Sequence, residues 1–322
     1  MSLNKGLSRL IAGALTAAAL AAGAAQAADY PSKPIELIVP YAAGGGTDLV
    51  SRAFAEAAKA HLPQAIGVVN KTGGAGAIGL TEIMAARPDG YKIGTGTVEI
   101  TMLPHMGSAA FTLDSFTPIA RLNAEPAAIT VAADAPWATI EEFVTYAKEN
   151  PGQVRIGNSG TGAIWHIAAE AFGKAAGVEF NHIPYDGANP AVTALLGGHI
   201  EAVGVSPAEV AAQVAAGKLR ILAVMDEERS ARFPDVPTVK EKGYDVAVST
   251  WRGIVVPSRT PEEIVTTLRE AAKATAAEPA FTETLQKMNL TPAYLDGPEF
   301  AEVMARDDAF FAAIMGELGL SN

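Results

Sequence analysis

Three glycine-rich stretches, each between an apolar strand-like run and a helix-like one, are the parts of this chain whose residue types could do chemistry. The first joins Tyr41 to Ala43, Gly44, Gly45, Gly46, Thr47 and Asp48. Its glycines permit positive φ and close approach of N–H groups to an anion, and a helix beginning at Thr47 would add the positive end of its dipole. A capped strand-to-helix turn would use the same residues. Asp48 fits a cap or loop organiser better than a catalyst, because a carboxylate facing an anion needs a water or cation between them. The second stretch, Gly74 to Gly79, fits G-x-G-x-x-G, but Glu99 is only loosely placed as the acidic ribose ligand that a dinucleotide site needs. Its glycines are read as turn and helix-packing residues. The third, Ser159, Gly160, Thr161 and Gly162, again follows a strand and offers hydroxyls and helix-start N–H groups. Two such cradles from different halves of a chain can face each other across a cleft.

The catalytic inventory is poor. G-x-S-x-G is absent around Ser159, Walker spacing is absent around Gly46, and none of the histidines (His61, His105, His166, His182, His199) pairs at H-E-x-x-H spacing. No metal site and no cofactor are expected. His166, one turn into a helix, is read as a packed core residue. Trp165 and Trp251 would suit either a pocket wall or the core. Arg252 would clamp a carboxylate bidentately or make a structural ion pair, with nothing to choose between them.

The elements that must position these residues alternate. Strands are expected at 35–39, 66–69, 91–95, 127–131, 154–157, 180–183, 202–205, 219–224 and 253–256. Helices are expected at 47–61, 77–86, 140–149, 162–176, 190–196, 207–215, 261–276, 279–287 and 298–315. The alternation indicates an α/β fold with largely parallel sheets. Thr260-Pro261-Glu262-Glu263 and Thr139-Ile140-Glu141-Glu142 carry the S/T-x-x-E signature of a capping box.

Composition bounds the function. Lys5, Arg9, an Ala-rich apolar run and Ala25-Gln26-Ala27 form an export signal, with cleavage expected after Ala27. Its removal takes away two of the 24 basic residues and none of the 35 acidic ones, so the charge moves from -11 to -13. That balance argues against nucleic acid and anionic membranes as partners. A bound anion then needs donors arranged locally. The absence of cysteine excludes disulfides, thiolate metal sites and a thiol nucleophile. The 295 residues that remain (322 minus 27) exceed what one core usually holds, so two lobes are expected.

Read together, the motifs resemble a known family. YPSKPI from Tyr30, IVPYAAGGGTD at 38–48, NKTGGAGAIG at 70–79, PDGY at 88–91, GTG at 160–162 with His166, HIPYDG at 182–187, LLGGHI at 195–200, AGKLR at 216–220, PDVPT at 234–238 and WRG at 251–253 are similar to the periplasmic receptors of tripartite tricarboxylate transporters, the Bug receptors. The resemblance runs in family order through nearly the whole exported chain. It implies a type II-like Venus flytrap, two α/β lobes that close on a small carboxylate and deliver it to a membrane permease. It carries a binding role to Tyr41 and Ala43 to Asp48, and to Ser159 to Gly162 with Tyr185, Asp186 and Gly187; Ser206 and Arg252 complete the candidates. Two positions depart: Ala163 stands where many relatives have Ser, and Val205-Ser206 where many have Asp-Asn. Loss of that carboxylate would favour a ligand without an amino group, ranking citrate-like tricarboxylates and C4-dicarboxylates above aspartate and glutamate.

The expected protein is therefore a monomeric, non-enzymatic periplasmic receptor. Lobe 1 would comprise 28–124 and 252–322, lobe 2 125–251, with a hinge at 122–127 and 248–252. A rival is an exported hydrolase or lyase on a carboxylate ester, with Ser159 as nucleophile and His166 or His182 as base. A binding subunit serving a sensor kinase would share the same ligand-binding half.

Overall fold

The computed structural model describes residues 30–230 and 232–317; the expected export signal lies outside them. The buried run of β1 (Ile35–Val39) sits between β2 (Ile66–Asn70) and β3 (Lys92–Thr97), parallel to both. Its near-continuous apolar residues fit a strand covered on both faces. β3 pairs antiparallel with β9 (Ser249–Pro257), and β9 pairs antiparallel with the first part of β4 (Phe116–Ala132), where β10 (Pro292–Asp296) also pairs.

β4 has 17 residues and belongs to both halves of the molecule. Its N-terminal part, from Phe116 to Pro126, carries the β9 ladder, whereas Ala127 to Ala132 pairs with β8 (Leu219–Met225) and β7 (Ala202–Val205). Beyond β7 come β5 (Arg155–Asn158) and β6 (Asn181–Pro184), parallel to each other. Each half thus has a block of parallel strands, joined through antiparallel strands that they share. This is the α/β, two-lobed architecture that the sequence predicts.

Helices cover the sheets: α1 (Gly46–Ala57), α2 (Ala77–Met84), α3 (Ile140–Glu149), α4 (Ile164–Ala176), α5 (Ala188–Leu196), α6 (Pro207–Ala215), α7 (Glu262–Ala277), α8 (Pro279–Lys287) and α9 (Gly297–Glu317). One hydrophobic cluster, with Leu37, Phe54, Ile93, Ile254, Leu268 and Leu285, packs the first half against α1, α7 and α8. The other is continuous from Ile83, Val98 and Phe300 to Ile129, Phe143 and Ile221, so the two halves are packed together in this conformation. Gly253 allows that packing: a Cβ there would lie 2.5 Å from the Ala120 carbonyl oxygen and 2.4 Å from the Phe300 ring.

Local differences from the expected elements have local causes. The first part of β4 lacks an apolar alternation and contains Pro118 and Pro126, and its register shifts between Pro118 and Ala120, as a bulge permits. β10 is short and only half-buried throughout, so it carries no apolar signal. The Thr260 box does not form: Pro261 is the N-cap of α7 and the Thr260 hydroxyl bonds back to the Pro257 carbonyl at 2.7 Å. Thr139 does cap α3, accepting the Glu142 N–H at 3.2 Å, while the Glu142 carboxylate accepts the Ala138 N–H.

Candidate binding site

The C-terminal ends of β1, β3, β5 and β7 point toward one another across the junction of the two halves, the place where open α/β sheets bind ligands. Between them lies a narrow cavity of about 20 Å3, room for about one water in this conformation. The β1–α1 loop brings Tyr41, Ala42, Gly45, Gly46 and Thr47 to its wall, and β3 with the turn after it brings Thr97 and Glu99. From the other half come Ser159, Ile164, Trp165, Ala188 and Glu209, and β9 supplies Thr250 and Arg252.

Arg252 is the centre of the electrostatics. Its side chain is only 2% exposed; Nη2 lies 3.2 Å from Glu209 Oε1, and Nε donates to Thr47 Oγ1 at 3.1 Å. Among the described residues Nη1 has no partner. The structural ion pair of the sequence reading is present, and it leaves Nη1 as the nitrogen still able to donate. Glu209 is fixed in turn by its second oxygen, which accepts from Ser206 N and Ser206 Oγ, both at 3.0 Å. Ser206 does not line the cavity; it orients the carboxylate that does. Nearby Glu125 is pushed up by burial, the charge of Arg252 and a hydrogen bond from Thr291 N opposing that shift in part.

The two helix starts take anions, as their glycine-rich approaches suggest, but the anions are the protein's own. Gly46 N donates to Glu209 Oε1 at 3.1 Å, and Ile164 N, at the start of α4, donates to Glu99 Oε1 at 2.9 Å. Each helix start is met by a carboxylate from the opposite half. Other loop donors are also engaged: Gly44 N with Asp48, Gly160 N with Asn158 and Gly162 N with His166 Nδ1. In this conformation these N–H groups are engaged within the protein. Asp48 proves a loop organiser, buried and accepting from Gly44, Arg52 and Asn70.

The remaining candidates divide between the cavity and its mouth. A wider cleft of about 520 Å3 beside the cavity is lined by Tyr41, Ser159, Gly160, Thr161, Tyr185 and Asp186, together with Gly73 to Gly76. Ala43 and Gly187 bind the halves to each other instead: Ala43 O accepts from Asn189 Nδ2 at 3.1 Å, and Gly187 lies against Ala42, whose N–H donates to Asp186 O at 3.0 Å. Gly44, Asp48, Gly162 and Ser206 line neither space. Trp165 is a cavity wall, whereas Trp251 packs on Phe300 and donates to Asp307 at 2.8 Å. The Tyr41 hydroxyl, held protonated by burial and next by the charge of Glu99, donates to Ala75 O at 2.9 Å.

Two cavity acids escape a motif-based reading. Glu209 closes an S-x-x-E capping box directly after the strand at 202–205, a signal that was available. Glu99 sits just past β3 and looks like any strand-end acid. With both present, the argument that Val205-Ser206 leaves the site without a carboxylate counter-ion does not hold. Among the described residues Ser159 makes no hydrogen bond to His166 or His182 that would form a nucleophile–base pair. His166, Glu170 and His182 do offer ligand atoms within 4.8 Å of one another. However, His166 Nδ1 accepts from Gly162 N at 3.1 Å, which puts its proton on the Nε2 that would have to bind a metal.

The fold and the cleft define a two-lobed periplasmic binding protein. Residues 50–320 match the family described as tripartite tricarboxylate transporter family receptor, and the chain belongs to that family. The UPF0065 protein in gbd 5'region of Cupriavidus necator is 36% identical over 97% of this chain and 96% of its own length. A TctC solute binding protein from Polaromonas, solved with no ligand, is 50% identical over 89% of this chain and 99% of its own, at a TM-score of 0.66. The periplasmic binding protein BugD is 30% identical, covering 91% and 99%, at a TM-score of 0.87. The two solved relatives are binding proteins, and the family is one of receptors, not enzymes.

Proposed function

We propose that this protein works in the periplasm as the solute receptor of a tripartite carboxylate transporter, capturing one small carboxylate between its lobes and presenting it to a membrane permease. The observation that carries the reading is the buried Arg252 Nη1, unpartnered in a cavity between two halves of a chain of this receptor family. A guanidinium nitrogen in that position is a preformed donor for a ligand carboxylate.

We assign 28–124 and 252–322 to the first lobe and 125–251 to the second, with the hinge in 122–127 and 248–252, where β4 and β9 pass between them. The comparison structures support a moving hinge. The 50% identical relative solved with no ligand superposes less well than the 30% identical one, the reverse of what divergence alone gives. A different angle between lobes accounts for that order. In the closed arrangement, fixed donors replace bulk water around the ligand and complete the surface a permease reads.

Thermal unfolding of the exported protein against mono-, di- and tricarboxylates, amino acids and aromatic acids tests the proposal. A ligand at 100 times its dissociation constant adds roughly 2.7 kcal/mol to stability. One subclass raising the melting temperature, with the compound recovered unchanged, is the expected outcome. A flat response across the panel would return the function to open status.

A further inference from the structure

We infer that the ligand carries a protonated amine as well as a carboxylate, with Glu99 facing the ammonium and Arg252 the carboxylate. This deepens the receptor reading and rests on it. Among the described residues, three polar atoms of the cavity wall have no partner: Thr97 Oγ1, Glu99 Oε2 and Arg252 Nη1. Their residues are 1%, 1% and 2% exposed. Unsatisfied polar atoms are rare in native interiors, and in a ligand cavity the group that satisfies them is the ligand.

The chemistry of these atoms dictates complementary groups. A guanidinium nitrogen only donates and requires an acceptor, whereas a carboxylate oxygen only accepts and requires a donor. Among the described residues no donor serves Glu99 Oε2: the nearby Tyr41 proton goes to Ala75 O, and Ile164 N serves the other carboxylate oxygen. A plain dicarboxylate would satisfy Arg252 and leave Glu99 facing another acceptor.

Charge separates an ammonium from a hydroxyl as the missing donor. The charged side chains on the cavity wall are Glu99, Glu209 and Arg252, one cation against two anions. A dianion or trianion adds to that excess at low dielectric, where like charges repel strongly. An ammonium offsets it. Thr97 Oγ1, able to donate or accept, can serve either ligand group.

Matched triads test the inference by isothermal titration calorimetry on the exported protein: aspartate, malate and succinate; glutamate, α-hydroxyglutarate and glutarate; alanine, lactate and propionate. In the triad that binds, the amino member is expected to exceed the unsubstituted one by about tenfold or more. Glu99→Gln keeps an acceptor for Ile164 N and should erase that margin, read as the ratio of the two affinities within the variant. An unsubstituted or hydroxy member binding as tightly as the amino one, or a margin that survives Glu99→Gln, overturns the ammonium assignment and leaves the receptor reading intact. Silence from every triad, on protein shown to be folded, overturns the carboxylate-receptor reading and this inference with it.

Discussion

Glu209 and Gly46 meet across the cleft, the carboxylate of one half accepting the first N–H of α1 in the other at 3.1 Å. Glu99 and Ile164 repeat the arrangement in the opposite sense. A helix start is an anion site by virtue of its unpaired N–H groups and dipole. Here both sites are filled by side chains that reach them only when the halves are together, so the same contacts that complete the cavity also hold it shut.

Closure should depend on those two carboxylates. A hydrogen bond to a charged group is worth about 1.5–3 kcal/mol, so Glu99→Ala combined with Glu209→Ala is expected to cut the closed population by about tenfold or more. Small-angle scattering of the ligand-free protein should report a larger radius of gyration than the unaltered chain gives. Equal radii would mean that packing alone keeps the halves together.

The Arg252–Glu209 pair should show strong coupling. Arg252→Met leaves a buried carboxylate without its cation, a loss of about 3–5 kcal/mol in urea unfolding. Glu209→Gln added to it removes the stranded charge, so the double variant is expected to be less destabilised than the sum of the two single changes. Additive losses would sink the pairing.

Asp48 should contribute to acid sensitivity. Burial works to raise its carboxyl, but hydrogen bonds from Arg52, Gly44 and Asn70 outweigh that and hold it below the ordinary value of 3.8. A group depressed on folding gives stability that is full above the unfolded value and is lost as pH falls through the folded one. Asp48→Asn, expected to cost about 1–2 kcal/mol at neutral pH, should therefore flatten the stability profile below pH 3.8.

His166 and His182 act at milder pH. Burial lowers both from 6.5 to about 4, and their rings pack edge to face at 4.7 Å between centroids. The unfolded chain takes up protons below pH 6.5 that the fold refuses until about 4, so stability falls as pH drops through that window. Urea midpoints at both ends should differ by an amount on the order of a kcal/mol per histidine. His182→Gln should narrow the difference; an unchanged gap would assign the acid sensitivity elsewhere.

The alternation of elements and most of their boundaries were legible because β1 and β7 are apolar and α3 and α6 keep a helical period with a capping residue before each. Pro118, Pro126 and the polar Asn123 and Glu125 hid the first part of β4, whose strand character comes from pairing and not from its own pattern. Of the residues lining the cavity, Tyr41, Gly46, Thr47 and Ser159 were singled out because loops after strands invite the question, and Arg252 because an arginine suits a carboxylate. Thr97, Glu99 and Glu209 were not, since their importance arises from what the other half places opposite them. A linear pattern carries no record of that juxtaposition.

Arg252 lies within the β9 ladder, paired with Asn123 of β4, inside the span where the two shared strands pass from one half to the other. A rotation about those strands displaces least whatever sits nearest the axis. On the hinge proposed above, the guanidinium would keep its place while the far walls swing, and an arriving carboxylate would meet a fixed mooring before the cavity around it exists. Affinity for the open state would be set chiefly by one residue, and the discrimination between ligands by those that arrive later.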